Sequence, residues 1–211
     1  MTYYSQIGQD KYFIENFTDP SKKGFFVDVG MNDGINISNT LALEQRGWKG
    51  LGIEVNDDLF EQAKRNRTCT VVNECVFSRN DEEKTLEIPI HAPIPGGNSL
   101  LVRIKDLNPH PHFANQFTKM STFVKRTKTL TKIFEEQGVP AVIDYMSIDI
   151  EGADYDALVG LDFSKYTIKF LTIEWGGVDT GYLSQIQTLM ESKGYKVHRM
   201  NKWDVEFVPS N

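Results

Sequence analysis

The sequence predicts an α/β fold, a mostly parallel doubly wound sheet with a C-terminal antiparallel hairpin, and three observations predict it. Strand and helix patterns alternate along nearly the whole chain, as they do when parallel strands are joined by crossover helices. The strand candidates Phe25 to Val29, Val142 to Ile148 and Ile168 to Ile173 are near-continuous apolar runs, the pattern of strands covered on both faces. The tail alternates instead, Tyr195 to Met200 and then Trp203 to Val208 around Asn201 and Lys202, as a hairpin does. That hairpin predicts one antiparallel strand at an edge of the sheet.

In chain order, a helix is expected over Gln9 to Phe17, followed by the strand Phe25 to Val29 and a helix over Ile37 to Arg46. Gly50 to Ile53 reads as a strand, Asp57 to Asn66 as a helix, and Cys69 to Cys75 as one further strand. Lys84 to Ile90 looks like an extra strand. Helices follow at Leu130 to Gln137, Asp154 to Val159 and Thr180 to Lys193. In the last of these Leu183, Ile186, Leu189 and Met190 fall at helical spacing, and Gly194 stands where it can cap the end. Residues 89 to 128 break the alternation. They carry Pro89, Pro93, Pro95, Pro109 and Pro111, and also His91, His110 and His112. A long irregular insertion is either a functional loop or a disordered one, and Phe113, Phe117 and Phe123 argue for order. It is read as a lid or substrate wall. The expected organisation is thus one domain over 1–211 with a substrate-facing insertion at about 89–128.

Composition excludes several classes. With 211 residues, 40% hydrophobic, the chain can bury one sizeable core. A net charge of −6 offers no basic excess for a phosphate backbone, so nucleic acid is not an expected partner. No stretch approaches the length of apolar sequence a membrane span needs, and Met1 to Gln6 has neither the charged nor the apolar region of a signal peptide. Cys69 and Cys75 lie six apart, not in a CxxC spacing, and no other cysteine could complete a zinc site. They read as buried thiols, which fits a reducing, cytoplasmic location.

The chemistry concentrates at Phe25 to Gly34, FFVDVGMNDG, where a buried strand runs into Asp28, Gly30, Asn32 and Gly34. A helical segment follows, and Glu54 closes a second strand 20 residues after Gly34. This is the strand–turn–helix–strand unit that binds nucleosides, with the acid placed to accept both ribose hydroxyls. The turn lacks the middle glycine of the dinucleotide fingerprint, however. Asn32 stands there, followed by Asp33, and with Asp28 these groups would repel a pyrophosphate. They suit a cationic, phosphate-free adenosine ligand, and S-adenosylmethionine is such a ligand. An NAD-dependent reductase is disfavoured by the same turn and by the lack of a Tyr-x-x-x-Lys pair.

Acids also end four strand candidates: Asp28, Glu54, Asp149 with Glu151 two residues on, and Glu174. In an open α/β sheet, ligands sit beyond these strand ends. Strand alternation predicts that Asp149 and Glu151 share an aspect while Ile150 points away. Carboxylates there could bind a substrate hydroxyl, act as general base, or hold a divalent cation together with Glu174. His91 is a further candidate base at the entrance to the insertion. His110 and His112 read as solvated, and His198 as structural.

In order along the chain, these motifs resemble the FkbM-type S-adenosylmethionine-dependent methyltransferases. The resemblance opens at Ser5-Gln6-Ile7-Gly8-Gln9-Asp10 and continues through Phe26-Val27-Asp28-Val29-Gly30, Asp33-Gly34 and Ser38-Asn39-Thr40. It is carried on by Gly47-Trp48-Lys49-Gly50-Leu51-Gly52-Ile53-Glu54, Gly97-Asn98-Ser99-Leu100, Ser147 to Gly152, and Ile173-Glu174. The resemblance implies a Rossmann-like class I methyltransferase fold and methyl transfer to a hydroxyl oxygen. It implies that Asp28, Gly30, Asn32, Gly34 and Ser38 cradle the methionine and ribose part. Glu54 would hold the ribose, and Glu74, Cys75 and Val76 would flank the adenine. Gln9 and Asp10 would close over the site, and Asp149 would stand between the methionine end and the acceptor. Asp149 is then the first choice of base, with Glu151, Glu174 or His91 assisting; whether a metal takes part is left open. Family members act on sugars, glycolipids and polyketides. Asn98, Ser99, Asn108, His110 and His112, beside aromatics, are a mixture that suits a sugar. Glycan O-methylation is therefore expected first, a polyketide or other small-molecule hydroxyl second, and a non-catalytic cofactor-binding module third. The chain starts almost on the family's first motif, which predicts a module of a longer protein. Domains of this type sit beside glycosyltransferases, including in large algal viruses, so fusion to or action with glycosyltransferases is expected.

Overall fold

The structure, a computed structural model, describes residues 2–89, 102–105, 107, 120–177 and 181–210. The first half runs α1 (Gln9–Phe17), β1 (Phe25–Val29), α2 (Leu41–Glu44), β2 (Lys49–Ile53), α3 (Asp57–Asn66), β3 (Thr70–Val72), β4 (Cys75–Val76) and β5 (Glu83–Pro89). Then come β6 (Arg103–Ile104), β7 (Met120–Lys128), α4 (Leu130–Gln137), β8 (Val142–Ile143), β9 (Tyr145–Ile148) and α5 (Asp154–Val159). β10 (Thr167–Ile168), β11 (Leu171–Glu174), α6 (Tyr182–Ser192), β12 (Tyr195–Met200) and β13 (Asp204–Pro209) complete the chain. Among the described residues no helix is long and apolar enough to cross a membrane.

Seven strands form the main sheet in the order β12-β13-β11-β9-β1-β2-β3. β11, β9, β1, β2 and β3 pair in parallel. From β1 the chain moves outward to β2 and β3, then returns to β9 on the other side, so a topological switch point lies between β1 and β9. That is where ligands bind in such sheets. Alternation sends Val27, Val29, Met146 and Ile148 into one apolar layer and Phe26 and Tyr145 into the other. Both faces are therefore covered, which is why the central strands read as unbroken apolar runs.

The C-terminal hairpin is present, but its antiparallel strand is not at the edge. β13 pairs antiparallel with both β11 and β12, and β12 is the edge strand. Burial decides this: Val205 and Phe207 of β13 are fully buried, whereas Lys196, Val197 and His198 of β12 are exposed.

Three expected strands are each broken in two. Cys69 to Cys75 splits into β3, which belongs to the main sheet, and β4, which belongs to a second one. The break is at Asn73, whose Nδ2 donates to the carbonyls of Glu54 and Val55 at 3.2 and 3.3 Å. Cys69 precedes β3, and both thiols are free; burial pushes that of Cys75 up to about 11. The run Val142 to Ile148 breaks at Asp144, whose carboxylate accepts from Phe25 N at 2.8 Å and from Lys169 Nζ at 2.7 Å. Lys169 in turn marks the break in Ile168 to Ile173, so β8 and β10 form a separate parallel pair. The helix expected over Ile37 to Arg46 shrinks to Leu41–Glu44. Ser38 Oγ accepts from Thr40 N and Leu41 N at 3.3 and 3.1 Å, which starts the helix late, and Ile37 has φ of 50°.

The end of the insertion is regular rather than irregular. β7 pairs antiparallel with β5 from Glu83↔Arg126 to Pro89↔Met120, within a second sheet ordered β4-β7-β5-β6. Its Phe123 packs on a small core of Cys75, Phe77, Leu86 and Ile104. Arg103 and Ile104 within the insertion also form β6, beside β5; the lid reading at 90–101 and 108–119, with His91, His110 and His112, lies outside the described residues.

Candidate functional site

The parallel register aligns the strand ends. Val29 is opposite Ile53 and Ile148, so the turns after β1, β2 and β9 emerge side by side. Between them a cleft of about 990 Å³, counting its open mouth, runs from the second sheet to the end of β9.

The turn after β1 depends on Gly30. Its φ is 88°, and a Cβ there would lie 1.9 Å from the Asp149 carbonyl, so no other residue fits. Asn32 also takes a left-handed conformation, φ 57°, which asparagine tolerates better than most. Glu54 ties this turn to the next. One carboxylate oxygen accepts Asn32 N at 2.8 Å, the other Asn56 N at 2.9 Å. Asn56 in turn caps α3, accepting Asp58 N and Leu59 N. Burial nonetheless raises Glu54 to about 7, against these hydrogen bonds.

Asp28 is braced from behind by Thr40 of the Ser38-Asn39-Thr40 motif and by Arg67, which belongs to no motif. Thr40 Oγ1 donates to Asp28 Oδ2 at 2.5 Å, and Arg67 Nη2 donates to Thr40 Oγ1 at 3.0 Å. The Arg67 side chain is wholly buried. Its Nε donates to Glu44 Oε2 at 2.7 Å and its Nη1 to the Gly34 carbonyl at 3.2 Å. A Cβ on Gly34 would meet Arg67 Cγ at 2.7 Å, so Gly34 serves packing against this arginine. Burial raises the Asp28 carboxyl; Arg67 opposes that shift.

Of the residues singled out from sequence, Asp28, Gly30, Asn32, Ser38 and Glu54 line the cleft on one side. Glu74, Cys75 and Val76 line it on another, where Leu86 and Ile104 of the second sheet add an apolar wall. Glu74 also accepts from Lys128 Nζ at 2.7 Å. Gly34, Gln9 and Asp10 do not line it. Gln9 Nε2 donates to Asp204 Oδ2 at 2.8 Å, and Asp204 stands opposite Glu174 in the sheet. Asp10 accepts from Ser5 Oγ and Tyr4 N and fastens the N-terminal segment. His198 is bonded to the Tyr12 hydroxyl at 2.9 Å, away from the cleft.

At the other end of the cleft stand Asp149 and Glu151. Strand alternation does not put them there, because β9 ends at Ile148 and Ile150 lines the cleft as well. Glu151 sits instead in a turn with φ of 57°. Asp154 fixes that turn: its two oxygens accept Ile150 N and Gly152 N, each at 3.1 Å, and Tyr182 OH donates to it at 3.2 Å. Glu174 joins from β11. Ile173 is opposite Ile148, so the next residues, Glu174 and Asp149, lie side by side. One oxygen from each of Asp149, Glu151 and Glu174 falls within 4.8 Å of the others. Burial first, and then mutual charge repulsion, raises Glu151 and Glu174; burial raises Asp149. Glu151 Oε2, Glu174 Oε2 and Asn39 Oδ1 are buried with no hydrogen-bond partner.

Arg67 and Asp154 were not legible as site residues. Arg67 ends an ordinary helix, and Asp154 looks like one acid among several at a helix start.

A seven-stranded sheet with one antiparallel strand, and a cleft at its switch point, are the features of a class I methyltransferase fold. Among solved structures the METTL16 methyltransferase domain aligns over 97% of this chain with a TM-score of 0.55 at 13% identity, and at that identity it shows the fold. The chain spans about two thirds of that domain, 67%. A TehB-like SAM-dependent methyltransferase from Corynebacterium glutamicum aligns over 97% of this chain and 89% of its own, at 13% identity and a TM-score of 0.47. The T. thermophilus 16S rRNA N2 G1207 methyltransferase, solved with AdoMet and guanosine, aligns over 100% of this chain and 44% of its own, at 9% identity and a TM-score of 0.48. No curated protein matches the chain significantly. The methyltransferase FkbM domain matches residues 28–197, and the chain belongs to that family of S-adenosylmethionine-dependent methyltransferases. The lining fits the cofactor: acids at the ends of β1 and β2, Asp28 and Glu54, face an apolar wall of Val76, Leu86 and Ile104, the mixture of polar and apolar partners an adenosine needs.

Proposed function

We propose that the protein is an O-methyltransferase that moves the methyl group of S-adenosylmethionine to a hydroxyl of a sugar or glycan. The observation that carries this is the group of three carboxylates at the end of the cleft, beside the Gly30 turn. An amine with a lone pair needs no strong base to accept a methyl group. A sugar hydroxyl is a very weak acid and needs its proton removed or polarised as the bond forms.

In this reading Asp28, Asn32 and Ser38 hold the methionine and ribose part and Glu54 takes the ribose hydroxyls. Glu74, Cys75 and Val76, with Leu86 and Ile104, enclose the adenine. Gln9 acts at one remove, through Asp204. The acceptor oxygen attacks the methyl carbon in line. The C–S bond breaks, its electron pair stays on sulfur as S-adenosylhomocysteine, and the hydroxyl proton passes to Asp149. Most of the rate comes from holding donor and acceptor in line and from this proton transfer. Net charge of −6 favours a neutral acceptor over a polyanion such as nucleic acid.

The test is methyl transfer from labelled cofactor to a panel of neutral oligosaccharides, read by mass spectrometry, beside amine and RNA acceptors. Sugar O-methylation that Asp149→Asn abolishes supports the reading. Transfer only to nitrogen, or a near wild-type rate in the variant, overturns it.

A further inference from the structure

Asp149 and Glu151 line the cleft and Glu174 stands behind them, so the three carboxylates form one group at the end where the methyl group must be delivered. Oxygens sit about 2.0–2.1 Å from a magnesium ion and slightly farther from a larger divalent one, so two oxygens on one ion are at most roughly 4–5 Å apart. The three carboxylate oxygens here lie within 4.8 Å of one another, close enough for side-chain rotation to bring them onto one ion. Two further observations point to a missing ligand. Glu151 Oε2 and Glu174 Oε2 are fully buried and accept no hydrogen bond, although almost all buried carboxylate oxygens do. Among the described residues no Lys, Arg or His forms an ion pair with any of the three, whereas the buried Glu44 and Glu206 are each paired with an arginine. Three close carboxylates without a counter-charge are costly to bury.

We propose that Asp149, Glu151 and Glu174 form a binding site for one divalent cation of the magnesium or manganese class, which draws the acceptor hydroxyl in beside the methyl group. The donor set is all oxygen, which selects a hard cation. Three protein oxygens leave open positions in an octahedron for water and for the acceptor. A hydroxyl held there is polarised and oriented together, and its proton is lost to a cluster carboxylate or to water as the O–C bond forms. Asp154 and Tyr182 are positioning residues, since they fix the turn that aims Glu151. The inference deepens the hydroxyl-methylating reading and rests on it for the role of the cation, but not for its binding.

The test is Mn²⁺ titration of the whole chain with S-adenosylhomocysteine present, with free Mn²⁺ followed by electron paramagnetic resonance. One ion per chain is expected, with affinity lowered at least about tenfold in Glu174→Gln and Glu151→Gln. S-adenosylhomocysteine binding by Glu174→Gln shows that this variant is folded, because Glu174 does not line the cleft. Absence of stoichiometric Mn²⁺ binding, or the same affinity in both variants, overturns the site. If no ion binds and sugar methylation continues unchanged in a chelator, the site falls and the proposed function stands. If the ion binds with the expected losses and no hydroxyl is methylated, the site stands and the proposed function falls.

Discussion

The two ends of the cleft are built differently. At the ribose end the polar groups are partnered before any ligand arrives. Both Glu54 oxygens take backbone N–H groups, Asp28 takes the Thr40 hydroxyl, and Arg67 ties the loop behind them. At the methyl end Glu151, Glu174 and Asn39 each bury an oxygen that nothing satisfies. The first end is preorganised, which lowers the cost of binding the cofactor. The second is stable only as a compromise and is completed by what binds there, as expected of a site that acts on a transition state.

The comparison is broken most severely at Asp149. Asp149→Asn is expected to lower turnover about 10³-fold, near 4 kcal/mol, while S-adenosylhomocysteine affinity stays within a few-fold. Calorimetry beside a rate assay separates the two, and an equal loss in both would place Asp149 with the cofactor instead. Next in size is Arg67→Met. It leaves the buried Glu44 unpaired and loosens the support of Asp28, so it should cost about 3 kcal/mol of stability by denaturant unfolding. A change under about 1 kcal/mol would show that the ribose end does not depend on that network.

A smaller effect is expected at Glu54, and it depends on pH. The carboxyl ionises at about 7 in the folded chain against an ordinary 4.5. The stability this group contributes is therefore full below 4.5 and is lost as pH rises through about 7. Ribose hydroxyls prefer the ionised form, so cofactor affinity should move the opposite way and rise through the same range. Glu54→Gln should weaken S-adenosylhomocysteine about tenfold at pH 8 and flatten its pH profile. A profile with the wild-type slope in the variant would assign the titration to another group. The smallest effect is expected at Lys165→Ala. Its ion pair with Glu135 joins two side chains that are each about half exposed and screened by water, so neither the unfolding midpoint nor cofactor binding should move measurably.

Local pattern carried a good deal of this. The buried runs around Phe26 and Met146, the Asp28-to-Gly34 turn and the acid 20 residues later were legible, because strand burial and turn chemistry are short-range properties. The breaks at Asn73 and Asp144 were not. Each depends on a side chain reaching a backbone group, on Glu54 and Val55 for Asn73 and on Phe25 for Asp144, that pattern does not show to be near. The late start of α2 was hidden in the same way, in the Ser38 hydroxyl.

By itself the sequence determined the α/β alternation, the family, and which acids end strands, since each of these is written in consecutive residues. Only the tertiary structure decided which of those acids meet. The register Ile173↔Ile148 sets Glu174 beside Asp149, and Val29↔Ile53 sets the Gly30 turn beside Glu54. It also decided that Arg67, at the end of a plain helix, becomes the brace of Asp28. Strand order and register are settled by burying both faces of the sheet at once, and that energy is summed over the whole core, not over any one segment.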